Sequence, residues 1–111
     1  MADGARDEAA EMFERLTNRF ASEPTVSQGT GFGSSPGLRV RGKIFAMLAG
    51  GGLVVKLPKN RVDELESSGV GSRFDPGHGR VMREWATVPV SHGADWEQLA
   101  AEAFAFVERG S

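Results

Sequence analysis

Residues 37–58, GLRVRGKIFAMLAGGGLVVKLP, decide the fold class of this chain of 111 residues. Two runs of apolar and β-branched residues flank three consecutive glycines at residues 50–52. Such runs around a glycine turn are typical of an antiparallel hairpin, because glycine adopts the positive φ that tight turns require. The middle of the chain is therefore predicted to be a β-meander.

The first part of this stretch fits two interpretations. In one, residues 38–48 form a single strand that lines up three cations on the face opposite to the apolar side chains. In the other, Arg41-Gly42 is itself a two-residue hairpin turn, and the cations are divided between turn and faces. We favour the second interpretation. Its strands span residues 38–40, 43–48 and 53–57.

Amphipathic helices are predicted at both ends of the chain. Residues 7–21 carry an apolar stripe at helical spacing. A second helix is capped by Asp95, with Gln98 as a weak capping box, and stops at Gly110. Its expected buried face consists of Trp96, Leu99, Ala100, Ala103, Phe106 and Val107. A short helix with Asn60 as its N-cap and Gly69 at its end lies between them.

These elements predict one domain that spans residues 1–111, an α+β fold of order α-β-β-β-α-β-β-α. Its antiparallel sheet has helices on one face, and residues 85–90, WATVPV, supply a later strand. Residues 25–37, TVSQGTGFGSSPG, are either a flexible loop or an edge strand broken by glycines. We expect one core between sheet and helices, formed by Trp85, Phe106, Leu16, and Phe45 or Met47.

Composition favours a soluble protein. Apolar residues make up 40% and charged residues 25% of the chain, as is normal for a globular domain. There is no cysteine, which excludes disulfides and permits a reducing compartment. No apolar run approaches the roughly 20 residues that cross a bilayer, and the charged N-terminus is unlike a signal peptide. A cytoplasmic protein without a membrane span, monomeric or weakly dimeric, is predicted.

Residues that carry catalysis are sparse. His78 and His92 lie apart in glycine-containing loops, and the carboxylates are spread over helix surfaces. The sequence GTGFGS at residues 29–34 precedes a strand, whereas a phosphate-binding loop precedes a helix. We therefore predict no enzymatic activity, no catalytic or metal-binding residue and no cofactor.

Charge is segregated along the chain. Residues 24–62 contain six cations and no acid, whereas residues 1–23 carry a net charge of −3 and residues 63–111 of −5. Cations interleaved with aromatic residues are typical of a surface that binds the phosphate backbone and stacks on the bases of a nucleic acid. They are also typical of the solvent-exposed face of a half-buried sheet. The predicted nucleic-acid-binding residues are Arg39, Arg41, Lys43, Lys56, Lys59 and Arg61. At least one of Arg80 and Arg83 is instead expected to pair with an acid such as Glu84 or Asp75.

Three stretches resemble a known family in their order and spacing. GLRVRGKIFAML at residues 37–48, LVVKLP at residues 53–58 and FDPGHGRVMREWATVP at residues 74–89 are similar to the TfoX N-terminal domain and the MmcQ/YjbR family of small bacterial proteins. The resemblance implies an α+β fold with a curved antiparallel sheet and no enzymatic activity. Members of the family are commonly called DNA-binding or competence-related.

Three functional hypotheses follow from the sequence, and an enzyme or small-molecule binder is the third. The first is a non-catalytic domain that weakly binds nucleic acid through its basic hairpin, in a salt-sensitive manner. The second is a protein-interaction module that presents a sheet edge or the glycine-rich loop to a partner chain.

Overall fold

Six antiparallel strands and three α-helices make up the part of the chain that the computed structural model describes, residues 2–30, 36–49, 51–74 and 82–110. In chain order the elements are α1 (Ala2–Arg19), β1 (Val26–Thr30), β2 (Pro36–Val40), β3 (Lys43–Ala49), β4 (Gly52–Lys56), α2 (Lys59–Ser68), β5 (Ser72–Phe74), β6 (Met82–Pro89), a 3₁₀ helix (Val90–Asp95) and α3 (Trp96–Gly110). The strands form one sheet in the order β1-β2-β3-β4-β6-β5. This single α+β domain confirms the predicted fold class.

The strand that the predicted order lacks is β1. It pairs with β2, with Val26 opposite Val40 and Thr30 opposite Pro36, and it forms one edge of the sheet. For residues 26–30 the edge-strand interpretation is therefore the correct one. The predicted glycine-rich loop at residues 31–35 lies outside the described residues. The observed order is α-β-β-β-β-α-β-β-α.

The turn between β2 and β3 is the predicted Arg41-Gly42 hairpin. Arg41 has a φ of 52° and Gly42 a φ of 82°, and two successive positive φ values define the turn type that matches the twist of the flanking strands. Arg39 stabilises the turn, since its Nη1 donates a hydrogen bond of 3.1 Å to the Gly42 carbonyl. The interpretation of residues 38–48 as one strand is wrong.

A bulge in β3 decides which side chains face the helices. Leu38 pairs with Ala46 while the next residue of β2, Arg39, pairs with Ile44, so Phe45 is an extra residue without a partner. Phe45 and Ala46 therefore both join the core beneath the helices, and Ile44 lies on the opposite side of the sheet. We call the side with Ala46 the helix face and the side with Ile44 the outer face.

The main core lies between the helix face and all three helices. Phe20, Phe45 and Phe104 form an aromatic cluster in it, with ring centroids 5.3–5.6 Å apart. Leu16 is buried here as expected. Phe106 is half-buried and packs against the same core, although the sequence predicted it among the buried residues of α3.

A second apolar cluster occupies the outer face, where Trp85 packs with Met47 and Val54. The prediction that Trp85 shares the main core is wrong. Its neighbour Ala86 lies in the main core, and side chains alternate along a strand, so Trp85 points the other way. The sheet is therefore apolar on both sides.

One predicted helix start needs correction. α2 begins at Lys59 after Pro58, whose carbonyl accepts hydrogen bonds from the N–H groups of Arg61 and Val62, and Asn60 lies within the first turn. No side chain caps this helix. α3 begins at Trp96, directly after Asp95, as predicted, and a 3₁₀ helix precedes it. The Gln98 amide donates a hydrogen bond of 3.3 Å to Glu102. The predicted end of α2 at Gly69 is confirmed by its φ of 79°.

None of the α-helices in the described ranges is long and apolar enough to cross a membrane.

Gly71 supports a stability prediction, because it lies against β6 just before β5. A Cβ at this position would lie 2.9 Å from the Thr87 carbonyl oxygen and 3.4 Å from the Val88 Cγ2. We expect Gly71→Ala to lower the free energy of unfolding by about 1–3 kcal/mol, since backbone atoms cannot move aside easily. Gly110→Ala is the control, because a Cβ there meets nothing within 4 Å. Equal urea midpoints for the two variants would contradict this prediction.

Candidate nucleic-acid interface

Two of the six predicted binding residues are held by acids. Lys59 and Arg61 lie on α2, where the Lys59 ammonium is 3.1 Å from Asp63. The Arg61 guanidinium bonds to Glu102 of α3 at 2.9 and 3.2 Å and to Glu64 at 3.1 Å. Both positive charges are therefore compensated locally.

One of these acids, Asp63, also holds a third cation. Arg73 of β5 forms ion pairs with Asp63 and Glu66. Hydrogen bonds from Lys59 and Arg73 lower the pKa of the Asp63 carboxyl below its ordinary value, and the Glu102 carboxylate raises the pKa of Arg61. This network connects α2 to β5 and α3. Exposed pairs of this kind contribute only about 0–1 kcal/mol each, so their main effect here is to remove cations from the binding surface.

The hairpin divides the next three predicted residues. Arg39 is half-buried beside Ile44 on the outer face, and Arg41 is exposed at the turn. Lys43 is exposed opposite Val40, whose side chain lies in the main core. Because directly paired residues share a face, Lys43 lies at the end of the helix face. The cations surround the hairpin end instead of forming one row.

Lys56 lies on the outer face at the same end of the sheet. It pairs with Trp85 across β4 and β6, and its Nζ lies 5.8 Å from the centre of the indole ring in a cation–π contact. Trp85 is only 7% exposed, and Phe45 is fully buried. Neither of these two aromatic residues offers an exposed ring on which a base could stack.

Arg83 adds a cation that the sequence prediction did not place at the interface. It is exposed near the start of β6, two residues before Trp85 and at the same end of the sheet as Lys56. No ion pair joins it to Glu84 in the part of the chain that is described, and adjacent strand residues point to opposite faces. Asp75 and Arg80 lie outside the described residues. The position two residues before Trp85 was the signal that could have identified Arg83.

These residues lie at one end of the sheet, and we call them the hairpin-end cations: Arg39, Arg41, Lys43, Lys56 and Arg83. Among the described residues, no carboxylate lies within 4.0 Å of the charged groups of Arg41, Lys43, Lys56 or Arg83. This distinguishes them from Lys59, Arg61 and Arg73.

Other binding chemistry finds little support in the described residues. They contain no group of three His, Asp or Glu side chains placed to hold a metal ion. His92 lies in the 3₁₀ helix, and His78 lies outside the described residues. The hairpin-end cations are therefore the candidate site with the clearest ligand chemistry.

Comparison of the chain with models of known protein families, with curated proteins and with solved structures found no match.

Proposed function

We propose that this protein is a non-catalytic, cytoplasmic domain that weakly binds nucleic acid through the hairpin-end cations. The observation that carries the proposal is the difference between two sets of cations. Lys59, Arg61 and Arg73 are compensated by acids, whereas Arg41 and Lys43 extend from the hairpin end without an acidic partner among the described residues.

The arrangement favours backbone contact over base recognition. Arg39 and Lys56 approach from the outer face, Lys43 from the end of the helix face and Arg41 from the turn between them. Cations of this kind bind phosphates with little dependence on base sequence. Because the buried Trp85 offers no stacking surface, we expect similar affinity for single and double strands of equal charge density.

The proposed contacts predict a steep salt dependence. Each phosphate contact on duplex DNA contributes about −0.9 to the slope of log affinity against log salt concentration. Acidic surface elsewhere, including α1, repels the same phosphates, so we expect modest affinity at low salt and little at physiological salt.

The test is a charge reversal at the hairpin end, read by fluorescence anisotropy with labelled DNA and RNA oligonucleotides at about 50 mM salt. Arg41→Glu/Lys43→Glu should abolish binding while leaving the thermal melt unchanged, since both side chains are exposed. The matched control, Arg15→Glu/Arg109→Glu, makes the same change in net charge at two exposed positions on α1 and α3. It should weaken binding far less.

Two results would argue against nucleic-acid binding. One is no detectable binding by the wild-type protein at low salt. The other is an equal loss in both double variants, which would indicate a response to net charge alone. The resemblance to the TfoX N-terminal domain and the MmcQ/YjbR family stays a prediction, and the fold order supports it only at the level of an α+β domain.

A further inference from the structure

The edge strand β1 presents unused backbone hydrogen-bonding groups. The Arg41 N–H donates a hydrogen bond of 2.9 Å to the Thr25 carbonyl. Together with the register, this bond shows which residues of β1 form hydrogen-bonded pairs with β2. Ser27 and Gly29 therefore direct their N–H and C=O groups toward β2, and Val26, Gln28 and Thr30 direct theirs away from it. The Val26 N–H bonds to Glu23, and the other five outward groups meet no backbone partner among the described residues.

Natural edge strands usually carry features that prevent pairing with other chains, and the described residues of β1 show no charge, no proline and no bulge. Its sequence, VSQGT, contains no charged residue and no proline. Ser27, Gln28 and Gly29 are exposed. The strand is five residues long and has no bulge in its register with β2.

The opposite edge of the same sheet is protected in three ways. β5 is only three residues long, and its pairing with β6 is shifted by a bulge after Arg73. The Arg73 side chain bends inward to the acids of α2. Short length, a bulge and an inward-pointing charge all discourage strand addition. One edge is therefore closed to a partner strand while the other is open.

We propose that β1 pairs with β1 of a second copy of this chain, antiparallel, about a two-fold axis at Gln28. The two Gln28 residues then exchange both backbone hydrogen bonds, and each Thr30 N–H donates to the Val26 carbonyl of the other copy. Ser27 lies opposite Gly29, so no like charges meet. Because a two-fold interface uses the same patch twice, an uncharged strand that is compatible with itself fits a second copy.

The contact continues the sheet from six strands to twelve across two copies. It buries little area compared with the roughly 1,200–2,000 Å² of stable interfaces, so the dimer is weak and depends on concentration. It lies on the β1 edge and does not require the hairpin-end cations. The inference therefore stands apart from the proposed nucleic-acid binding.

Sedimentation equilibrium over a concentration series tests this pairing. Gln28→Pro removes the central N–H, and proline is tolerated in an edge strand where that group faces outward. Loss of the two central hydrogen bonds should raise the dimer dissociation constant about tenfold or more. Gln28→Ala keeps the backbone groups and should dimerise like the wild type. A wild-type protein that stays monomeric throughout, or a proline variant that dimerises equally, would overturn the proposal.

A cross-linking experiment provides a second measurement that needs no proline. The chain has no cysteine, so Gln28→Cys introduces a single thiol next to the proposed axis. A short bismaleimide should link this variant into covalent dimers much faster than the control Ala101→Cys, which places a thiol on the exposed side of α3. Equal rates for the two variants would contradict β1 pairing even if Gln28→Pro failed to fold.

Discussion

Phe45→Ala is expected to lower the free energy of unfolding by about 3–5 kcal/mol. Phe45 is fully buried, and its ring packs edge-on against Phe20 and Phe104, with centroids 5.3 and 5.6 Å away. The truncation removes apolar contact and leaves a cavity between β3, α3 and the end of α1. Chemical denaturation followed by circular dichroism measures the loss.

Phe106→Ala is the matched control for this variant, because it makes the same substitution at a half-buried position of α3. Its loss of stability should be clearly smaller. Phe106 is partly exposed to solvent in the folded state, so folding buries less apolar area there. If the two variants lost equal stability, the bulge would not direct Phe45 into the centre of the core.

Trp96→Ala is expected to cost about 3–5 kcal/mol as well. Trp96 is 1% exposed at the start of α3, and its indole Nε1 donates a hydrogen bond of 3.2 Å to the Pro89 carbonyl at the end of β6. The side chain thus fills the core and also fixes the chain path through the 3₁₀ helix. Thermal and urea unfolding should both show the loss.

Trp96→Phe separates the two contributions. It keeps most of the apolar volume but removes the indole donor, so we expect a loss of about 1 kcal/mol from the hydrogen bond together with a smaller packing loss. A variant as unstable as Trp96→Ala would show that the bond to Pro89 dominates, contrary to this expectation.

Local patterns in the sequence predicted most of the fold. The Arg41-Gly42 turn and the apolar stripe of α1 were identified because each depends on a few neighbouring residues. The faces of β3 and β6 were not, because one extra residue at Phe45 changes the alternation, and no local pattern indicates such a bulge. β1 remained an open alternative because its glycine and polar residues are equally common in loops.

The candidate site was harder to predict for a related reason. The charge count along residues 24–62 treats all six cations alike, whereas their environments depend on distant parts of the chain. Arg61 meets Glu102, which lies 41 residues later. Lys59 pairs with Asp63 at the local i,i+4 spacing of a helix, which a charge count overlooks, and Asp63 also binds Arg73, ten residues later. Arg83 lies outside the basic stretch and reaches the same end of the sheet through the pairing of β6 with β4.

The strand order has a consequence for synthesis of the chain on the ribosome. β4 pairs with β3 on one side and with β6 on the other, and residues 53–55, at its centre, are fully buried in the finished fold. β6 is translated only after α2 and β5, so a nascent chain exposes the apolar strand β4 at the edge of an incomplete sheet. Unpaired apolar edges are prone to aggregation. Because the exit tunnel of the ribosome encloses the most recently made residues, we expect the most harmful translational pauses to be those that leave β4 outside the tunnel while β6 is still inside it.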